Sequence, residues 1–249
     1  MAVLWSKDIA GKRYEVRSAG KTRRLYTDGV FHSQYHPDRP FAGSIWDLLW
    51  LPALFYEPGQ IKRILLLGVG GGAVIHMLRL HARPEVIDAI DITPTHIQIA
   101  RRYFGVRACS AKLIQADGIS WLNDYKGPGY DMIIDDMYGE DGGEPARAIE
   151  LDYSWINTIR KHLDPNGVMI LNSMTSNDLK QAACFTDAGL SKSFKSAYHL
   201  YVPMYHNAVG AIFREPVSTR DFRKRLHAYP ALRQLDFRIR KLGTDTHKY

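Results

Sequence analysis

Residues 61–91 read IKRILLLGVGGGAVIHMLRLHARPEVIDAID, and this stretch decides how the rest of the chain is interpreted. An apolar run ends at Leu67 and is followed by a glycine-rich turn, a helical pattern over 73–81 and a second apolar run that ends on Asp91. This order of strand, glycine turn, helix and acid-tipped strand is typical of nucleotide binding in open parallel sheets. The stretch therefore predicts a nucleotide-like ligand over the turn, with its ribose beside Asp91.

Three glycines of this turn, Gly68, Gly70 and Gly72, have the spacing G-x-G-x-G. Because glycine lacks Cβ, the backbone can close tightly there and a ligand can lie against it. Asp91 would accept hydrogen bonds from ribose hydroxyls, and the alternative is a surface acid or a helix cap ahead of Thr93. The stretch alone fits a nicotinamide dinucleotide and a sulfonium nucleoside equally well.

The composition indicates one globular core that needs no disulfide bonds or structural metal for its stability. The chain has 249 residues, of which 45% are hydrophobic and 24% charged. Its two cysteines, Cys109 and Cys184, are far apart, so we expect neither a disulfide framework nor a zinc site. The most apolar window, 45–56, is broken by Asp47 and Pro52, and the first residues do not resemble a secretory signal. We therefore expect a cytoplasmic protein with no membrane segment.

The net charge of +7 belongs to the two ends of the chain. Residues 1–40 carry 8 basic and 4 acidic groups (+4), residues 215–249 carry 9 and 4 (+5), and residues 41–214 carry 16 and 18 (−2). A basic end can meet nucleic acid or an acidic protein, but it is more often a solvated surface. Nucleic acid is thus a partner that the sequence permits and does not favour.

Apolar strand patterns and helical patterns alternate from residue 61 onward, which predicts a parallel sheet with helices on both faces. The predicted strands cover 62–67, 86–91, 111–116, 130–135 and 167–172. The predicted helices cover 73–81, 94–104, 118–125, 148–162 and 177–188. The fold class is α/β, a Rossmann-like, mostly parallel seven-stranded sheet that ends in an antiparallel strand pair, 195–202 and 208–213.

Two extensions flank this sheet. Residues 13–33 alternate loosely around the turn signal Asp28-Gly29 and predict a small β-hairpin unit, followed by an apolar helix over 44–55. The tail, 219–241, is amphipathic and predicts one or two helices separated by Pro230. We therefore divide the chain into an N-terminal extension (1–58), a catalytic domain (59–215) and a basic helical tail (216–249).

Acidic residues follow the later strands. Asp117-Gly118 ends the third strand, where the carboxylate could accept from an adenine amino group or could cap the next helix. Asp135 and Asp136 end the fourth strand, at the edge where ligands bind in such sheets. Because adjacent residues of a strand face opposite sides, only one of the pair is expected to face substrate. The acidic loop 137–144 predicts a lid over a cationic substrate, with a solvated loop as the alternative.

Six segments occur in an order that resembles a known family. They are LYTDGVFHSQ (25–34), RILLLGVGGG (63–72), AIDIT (89–93), IQADG (114–118), YDMIIDD (130–136) and YVPMYHNAVGAIF (201–213). Together they resemble the N-terminal hairpin, glycine turn, later strand ends and terminal hairpin of the spermidine/spermine synthase family, within the Rossmann-like methyltransferases.

The resemblance implies a sulfonium cofactor and assigns site residues. It implies that Asp136 is the catalytic acid or base and that Tyr205 lies on the acceptor side. The residues predicted to bind the cofactor are Gly68, Gly70, Gly72, Asp91, Ile92, Asp117, Gly118 and Asp135. No metal is expected. The resemblance also suggests a homodimer.

This chain departs from the family where the family binds polyamine. Gly71 stands where the family's glycine turn carries an acid that holds the amine of decarboxylated S-adenosylmethionine, and Gly139 replaces a second acid, although Glu140 and Asp141 follow it. The segment 43–45 lacks the family's side chains before the first strand. Because an acid repels a carboxylate, its loss at Gly71 favours intact S-adenosylmethionine (AdoMet) and should make room for its carboxylate.

Three functions remain in order of preference. The first is an AdoMet-dependent methyltransferase in which Asp136 orients or deprotonates an amine-bearing or other small-molecule acceptor. The second is aminopropyl transfer from decarboxylated AdoMet to a polyamine, with Glu140 or Asp141 in place of the missing acid. The third is a scaffold that binds AdoMet without catalysis and uses its basic ends to engage a partner.

Overall fold

The structure, a computed structural model, describes residues 1–38, 41, 43–108, 110–141, 144–203, 205–229 and 236–243. Its strands are β1 (Ala2–Ile9), β2 (Lys12–Ala19), β3 (Thr22–Thr27), β4 (Val30–Tyr35), β5 (Arg63–Leu67), β6 (Val86–Asp91), β7 (Lys112–Gln115), β8 (Tyr130–Asp135), β9 (Tyr138–Asp141), β10 (Glu144–Arg147), β11 (Leu163–Ser173), β12 (Ser196–Tyr201), β13 (Ala208–Phe213) and β14 (Arg238–Leu242). Its helices are α1 (Ile45–Trp50), which continues as a 3-10 helix (Leu51–Phe55), α2 (Ala73–His81), α3 (Pro94–Arg102), α4 (Gly118–Asp124), α5 (Tyr153–His162), α6 (Ser176–Gln181), α7 (Ala183–Thr186), α8 (Ala188–Ser191) and α9 (Thr219–His227).

The centre of the molecule is an eight-stranded sheet with the order β14-β12-β13-β11-β8-β5-β6-β7. Strands β11, β8, β5, β6 and β7 are parallel neighbours, and β13 is antiparallel to both β11 and β12. The predicted α/β Rossmann-like methyltransferase fold is confirmed, with one strand more than the seven predicted. Because the parallel strands end at one edge, the residues that follow β5, β6 and β8 meet there.

Side chains of the parallel strands are buried on both faces of the sheet. Along β5, Ile64 and Leu66 pack in one apolar cluster, whereas Leu65 and Leu67 pack in a second. This alternation follows from the pleat of a strand, and two apolar faces require helices on both sides. The uninterrupted apolar run in the sequence is therefore the signature of a doubly covered strand.

The N-terminal extension is a separate antiparallel sheet of four strands, β1-β2-β3-β4, and not the single hairpin that the sequence predicted. The turn at Asp28-Gly29 is confirmed, since both residues have positive φ, 47° and 84°. Val16 and Leu25 of this sheet pack against Ile99 and Phe104, at and beyond α3. The sheet is thus fixed against the part of the molecule that follows β6.

Three predicted boundaries were wrong. The loop 137–144 contains the hairpin β9–β10 in its described part, and Gly142 and Gly143 lie outside the described residues. Helix α5 begins at Tyr153 and not at 148, because Asp152 caps it by accepting a 2.9 Å hydrogen bond from the Trp155 backbone N–H; residues 148–152 connect it to β10. The helix predicted over 177–188 is divided into α6, α7 and α8.

Within its described residues, the tail contains the helix α9 and then the strand β14, which the sequence predicted as helical. Strand β14 pairs antiparallel with β12 and so forms an edge of the main sheet. The predicted break at Pro230 lies within residues 230–235, outside the described part of the chain. No helix in the described ranges is long and apolar enough to cross a membrane.

His81, at the end of α2, lies in an aromatic box on one side of the core. Its ring stacks on Trp50 at a centroid distance of 4.6 Å and on Phe41 at 5.6 Å, and Tyr229 meets it edge-on at 4.5 Å. Neither ring nitrogen has a hydrogen-bond partner among the described residues. Burial lowers the pKa of His81 from 6.5 to about 4, so the ring is neutral at pH 7.

We expect the His81→Phe variant to be less sensitive to acid than the parent protein. The unfolded chain binds a proton at His81 below pH 6.5 and the folded chain only near pH 4, so the free energy of unfolding falls over that interval. Between pH 7 and pH 5 this loss is on the order of 2 kcal/mol, and phenylalanine removes it. Urea unfolding at pH 7 and pH 5 measures the slope. His227→Phe, at an exposed site, controls for the loss of one imidazole, and equal slopes in all three proteins would contradict the prediction.

Candidate active site

The glycine turn after β5 lies close to the backbone that follows β8 and to the N-terminal sheet. Gly68 has a φ of +89°, and a Cβ at this position would lie 2.1 Å from the carbonyl oxygen of Asp136. Gly70 has a φ of +51°, and its Cβ would lie 3.1 Å from the carbonyl oxygen of His32 in β4. The turn is therefore a bare backbone cradle between β8 and the N-terminal sheet, which a side chain would fill.

Gly71 and Gly72 have a different role from the first two glycines. A Cβ at Gly71 would lie 2.6 Å from a ring carbon of Phe104, and one at Gly72 would lie 2.7 Å from a methyl of Val106. These glycines let α2 pack against the segment after α3. The expectation that the missing acid at Gly71 leaves room for a carboxylate is therefore wrong, because the Phe104 ring occupies that space.

Asp91, at the end of β6, ties the glycine turn to the neighbouring strand. Its Oδ2 accepts hydrogen bonds from the backbone N–H groups of Val69 (3.0 Å) and Gly70 (3.1 Å), and its Oδ1 accepts one from Thr93 (2.8 Å). Burial alone would raise the pKa of Asp91, but His96 and these backbone donors outweigh it and lower the pKa below its usual range. Asp91 is thus an ionised carboxylate at the place where a ribose is expected.

Two histidines beside Asp91 were not anticipated from the sequence. The Nδ1 of His96 lies 3.6 Å from Asp91 Oδ2, and its Nε2 is 3.0 Å from the hydroxyl of Thr27 in β3. The ring of His32 lies 5.1 Å from that of His96, and burial is the main cause that lowers the pKa of His32 to about 4. His32 is therefore neutral at pH 7, and it presents an uncharged polar wall to the cavity next to the Asp91 carboxylate.

Asp136 is a half-buried carboxyl that faces the cavity just beyond β8. Its Oδ1 accepts a 2.7 Å hydrogen bond from the side-chain amide of Asn172, whose own oxygen accepts one from Asn207 at 3.3 Å. Burial raises the pKa of Asp136 to about 7, and the nearby carboxylates Asp135 and Asp91 add to this against the lowering effects of Asn172 and Arg147. The group can therefore accept and release a proton near neutral pH.

Asp135 faces the opposite side of β8 and does not line the cavity. It is fully buried, and its Oδ2 accepts hydrogen bonds from Arg147 (2.6 Å) and from the indole N–H of Trp155 (2.8 Å). A buried carboxylate with a guanidinium and an indole donor is electrostatically satisfied. Of the two adjacent acids, the structure brings only Asp136 to the cavity, in line with the alternation of a strand.

The side of the cavity where the nucleoside is expected contains the remaining predicted residues. Asp117 lines the cavity and also caps α4, since its Oδ1 accepts a 2.7 Å hydrogen bond from the backbone N–H of Ser120. Both readings of Asp117 that the sequence left open are therefore compatible with its position. Ile92, which is 65% exposed, and Gly118 line the same cavity and offer it an apolar surface on which a flat base could lie.

These residues enclose a cavity of about 270 Å³ at the carboxyl edge of the sheet. The predicted site residues that line it are Gly68, Gly70, Asp91, Ile92, Asp117, Gly118, Asp136 and Tyr205, whereas Gly72 and Asp135 lie behind its wall. The N-terminal sheet and α1 add His32, Phe31 and Trp46, and the hairpin β9–β10 adds Tyr138, Gly139 and Pro145. One face of the cavity therefore carries the residues predicted to bind the nucleoside, and the other holds Asp136, Asn172 and Tyr205. Within the described ranges, no group of three or more His, Cys, Asp or Glu side chains could hold a metal.

Comparison with known proteins identifies relatives of two activities. The human eEF1A lysine and N-terminal methyltransferase is 29% identical over 121 residues, which are 44% of this chain and 17% of that protein. The chain thus matches less than a fifth of that relative's length. The structure of a probable spermidine synthase from Corynebacterium glutamicum is similar, with a TM-score of 0.72 at 15% identity, covering 97% of this chain and 91% of that chain. Human methyltransferase-like protein 13 in complex with SAH has a TM-score of 0.61 at 22% identity, covering 82% of this chain and 96% of that chain.

The two structural likenesses establish the fold. The family follows from the sequence, because residues 48–215, which are 168 of the 249, match the family described as the spermine/spermidine synthase domain. The matched range contains β5 to β13 and every predicted site residue. This chain belongs to the spermine/spermidine synthase domain family.

Proposed function

We propose that this protein is an AdoMet-dependent methyltransferase that acts on an amine, with Asp136 as the residue that orients the amine and takes its proton. One observation carries the proposal. A carboxyl with a pKa of about 7 lies in the cavity beside the nucleoside cradle, held by the amide of Asn172 at 2.7 Å. A general base works best when its pKa is near the operating pH.

Methyl transfer from AdoMet requires the protein mainly to position the amine in line with the methyl group and to accept a proton. AdoMet supplies a methyl group that its sulfonium already activates, and the amine lone pair forms the new C–N bond as the C–S bond breaks toward sulfur. Asp136 accepts the proton that the amine must lose, either before or after that step. Asn172 holds Asp136 Oδ1, and none of the described residues donates to its Oδ2, so that oxygen is free for the acceptor.

Two observations support AdoMet as the donor. The human relative is named a methyltransferase, and the structure of human methyltransferase-like protein 13 is titled as a complex with SAH. The described turn carries no acid at Gly71, and the Phe104 ring fills the space of such a side chain. The residues 68–72 of the turn thus contribute no carboxylate of their own that would repel the carboxylate of AdoMet.

Aminopropyl transfer to a polyamine is the second candidate, because the family is described by spermine and spermidine synthases and the Corynebacterium protein is titled a probable spermidine synthase. Asp136 would serve it in the same way, taking the proton of the attacking amine. A polyamine carries at least one further ammonium, which favours a second carboxylate near the acceptor. Glu140 and Asp141 follow the cavity residue Gly139 along β9, and one of them would have to supply that carboxylate.

Calorimetric titration with AdoMet, decarboxylated AdoMet and methylthioadenosine separates these candidates. We expect AdoMet to bind at least about tenfold more tightly than decarboxylated AdoMet, which corresponds to about 1.4 kcal/mol. The Asp91→Asn variant is the control, because the ribose is common to all three ligands and its affinity for each should fall by a similar factor. Preference for the decarboxylated ligand would overturn the methyltransferase proposal, and binding of none would overturn both enzymes.

A further inference from the structure

Arg147, the last residue of the hairpin β9–β10, is a buried cation whose three guanidinium nitrogens all have acceptors. Its Nη2 donates to the fully buried carboxylate of Asp135 at 2.6 Å, and its Nε donates to the carbonyl of Ile149 at 3.2 Å. Its Nη1 donates to the carbonyl of Asn172. The Arg147 side chain is only 8% exposed. A guanidinium buried with every nitrogen bonded is held in a single orientation.

These contacts join the base of the hairpin to the ends of two sheet strands. Arg147 pairs with Tyr138 across the hairpin, and the Tyr138 hydroxyl donates to the same Asn172 carbonyl at 3.1 Å. Asp135 ends β8, and Asn172 lies near the end of β11. The wall of the cavity formed by Tyr138, Gly139 and Pro145 is therefore fastened to the sheet through Arg147.

The same contacts reach the candidate base from two directions. Arg147 fixes the backbone of Asn172, whose side-chain amide holds Asp136 Oδ1 at 2.7 Å. Arg147 also neutralises Asp135, the residue directly before Asp136. Its guanidinium touches neither the cavity nor Asp136, so any effect on the reaction must pass through these neighbours.

We propose that Arg147 is a positioning residue that sets both the place and the ionisation of Asp136, by holding Asn172 and by neutralising Asp135. This inference rests on the proposed function only where turnover is measured, because the ionisation of Asp136 can be observed directly. Arg147 also holds the hairpin β9–β10, which forms one wall of the cavity, against the sheet.

The electrostatic part follows from the groups that face Asp136. Among the described residues, the titratable groups that act on Asp136 are Asp135 directly before it, Arg147 on β10, Tyr138 on β9 and Asp91 on β6. Asp135 and Asp91 raise the pKa of Asp136, and Arg147 lowers it. Loss of Arg147 leaves the Asp135 charge uncompensated beside Asp136, so the pKa of Asp136 rises further.

A set of variants separates this from a purely structural role. Arg147→Met removes the cation and all three donors. Arg147→Lys keeps the charge but cannot match the forked geometry of the three acceptors. Asp135→Asn combined with Arg147→Met removes both charges. Arg160→Met is the control, since Arg160 donates to Asn157 within α5 and touches none of these groups.

The direct readout is the titration of Asp136, followed by NMR of protein labelled with ¹³C at the aspartate carboxyls and assigned with Asp136→Asn. We expect the midpoint to rise by about one pH unit or more in Arg147→Met. It should return toward the parent value in the double variant, remain near it in Arg147→Lys, and stay unchanged in Arg160→Met. The acidic limb of kcat/KM should shift with it.

The outcomes distinguish the two proposals. A shifted Asp136 midpoint in a protein that methylates no amine would sustain the role of Arg147 and remove the proposed function. Turnover that falls at every pH, with the Asp136 midpoint of Arg147→Met and of the double variant both at the parent value, would reduce Arg147 to a structural residue. If Arg147→Met does not fold, Arg147→Lys alone tests the inference, because lysine keeps the charge: an Asp136 midpoint that rises by about one pH unit or more in that variant would also overturn it.

Discussion

Replacing Asp136 with asparagine should reduce kcat/KM for methyl transfer by about 10²–10⁴-fold while leaving the affinity for AdoMet nearly unchanged. Asparagine keeps the size of the side chain and can still pair with Asn172, but it cannot accept a proton. In the parent protein, kcat/KM should fall below about pH 7, where the Asp136 carboxyl becomes protonated. Initial rates from pH 5.5 to 9 and calorimetry with AdoMet measure the two effects separately.

Asp117→Asn is the matched control, because it makes the same chemical change in the same cavity and asparagine caps helices as well as aspartate. It should change the affinity for the nucleoside and leave the pH limb in place. Retained turnover in Asp136→Asn, or an equal loss of turnover in both variants, would remove Asp136 from the base role.

The stability of the Asp136→Asn variant gives an independent test of the raised pKa of Asp136. The folded pKa of about 7 lies above the ordinary value of 3.8, so the folded state binds more protons between these values. The contribution of Asp136 to stability is therefore complete below pH 3.8 and is lost as the pH rises through 7. At pH 8 the asparagine variant should be more stable than the parent by on the order of 1–3 kcal/mol.

The part of the fold that local patterns determine was predictable from the sequence. The unit from β5 to β6 is encoded within 31 residues, because its strands are apolar on both faces and glycine is required at Gly68, where φ is +89°. The paired acids at the end of β8 follow the same logic. Alternation along a strand assigns one acid to each side, and Asp136 faces the cavity while Asp135 is buried behind it.

The elements that depend on distant pairing were missed. Strand β14 has the sequence RIRKL, and three charged residues in five are typical of the exposed face of a helix. The segment is a strand because it pairs with β12, which the local sequence does not reveal. An edge strand carries charge because one side faces solvent, so composition alone does not reveal it. Similarly, β1 exposes Val3 and Leu4, which breaks the alternation that signals a half-buried strand.

The candidate site residues that directly follow strands were predictable from the sequence. Those that form contacts between elements distant in the sequence were not. Arg147 lies 12 positions from Asp135, and Asn172 lies 36 positions from Asp136, so no spacing rule relates them. His96 reaches Thr27 across 69 positions. The one available signal was the Asn that ends the apolar run of β11, since a polar residue at a strand end in this sheet points to the site.

Gly68→Ala should be the most damaging single-methyl substitution in the turn. The residue has a φ of +89°, and the new Cβ would lie 2.1 Å from the Asp136 carbonyl oxygen, which is backbone and cannot rotate away. Strain and overlap together should lower the free energy of unfolding by about 3 kcal/mol or more. The overlap also displaces the backbone of Asp136 itself, so AdoMet binding and turnover should fall together.

Gly59→Ala isolates the contribution of that close approach. Gly59 has nearly the same φ, +88°, but nothing lies within 4 Å of a Cβ there, so its substitution adds only conformational strain of about 1 kcal/mol. Urea unfolding of the two variants at one pH gives the difference directly. Since φ is matched, the excess loss in Gly68→Ala measures the contact between the turn after β5 and the end of β8. Equal losses would mean that the backbone relaxes freely at this edge. The position of Asp136 against the nucleoside cradle would then depend on side chains such as Asn172 and not on the glycine.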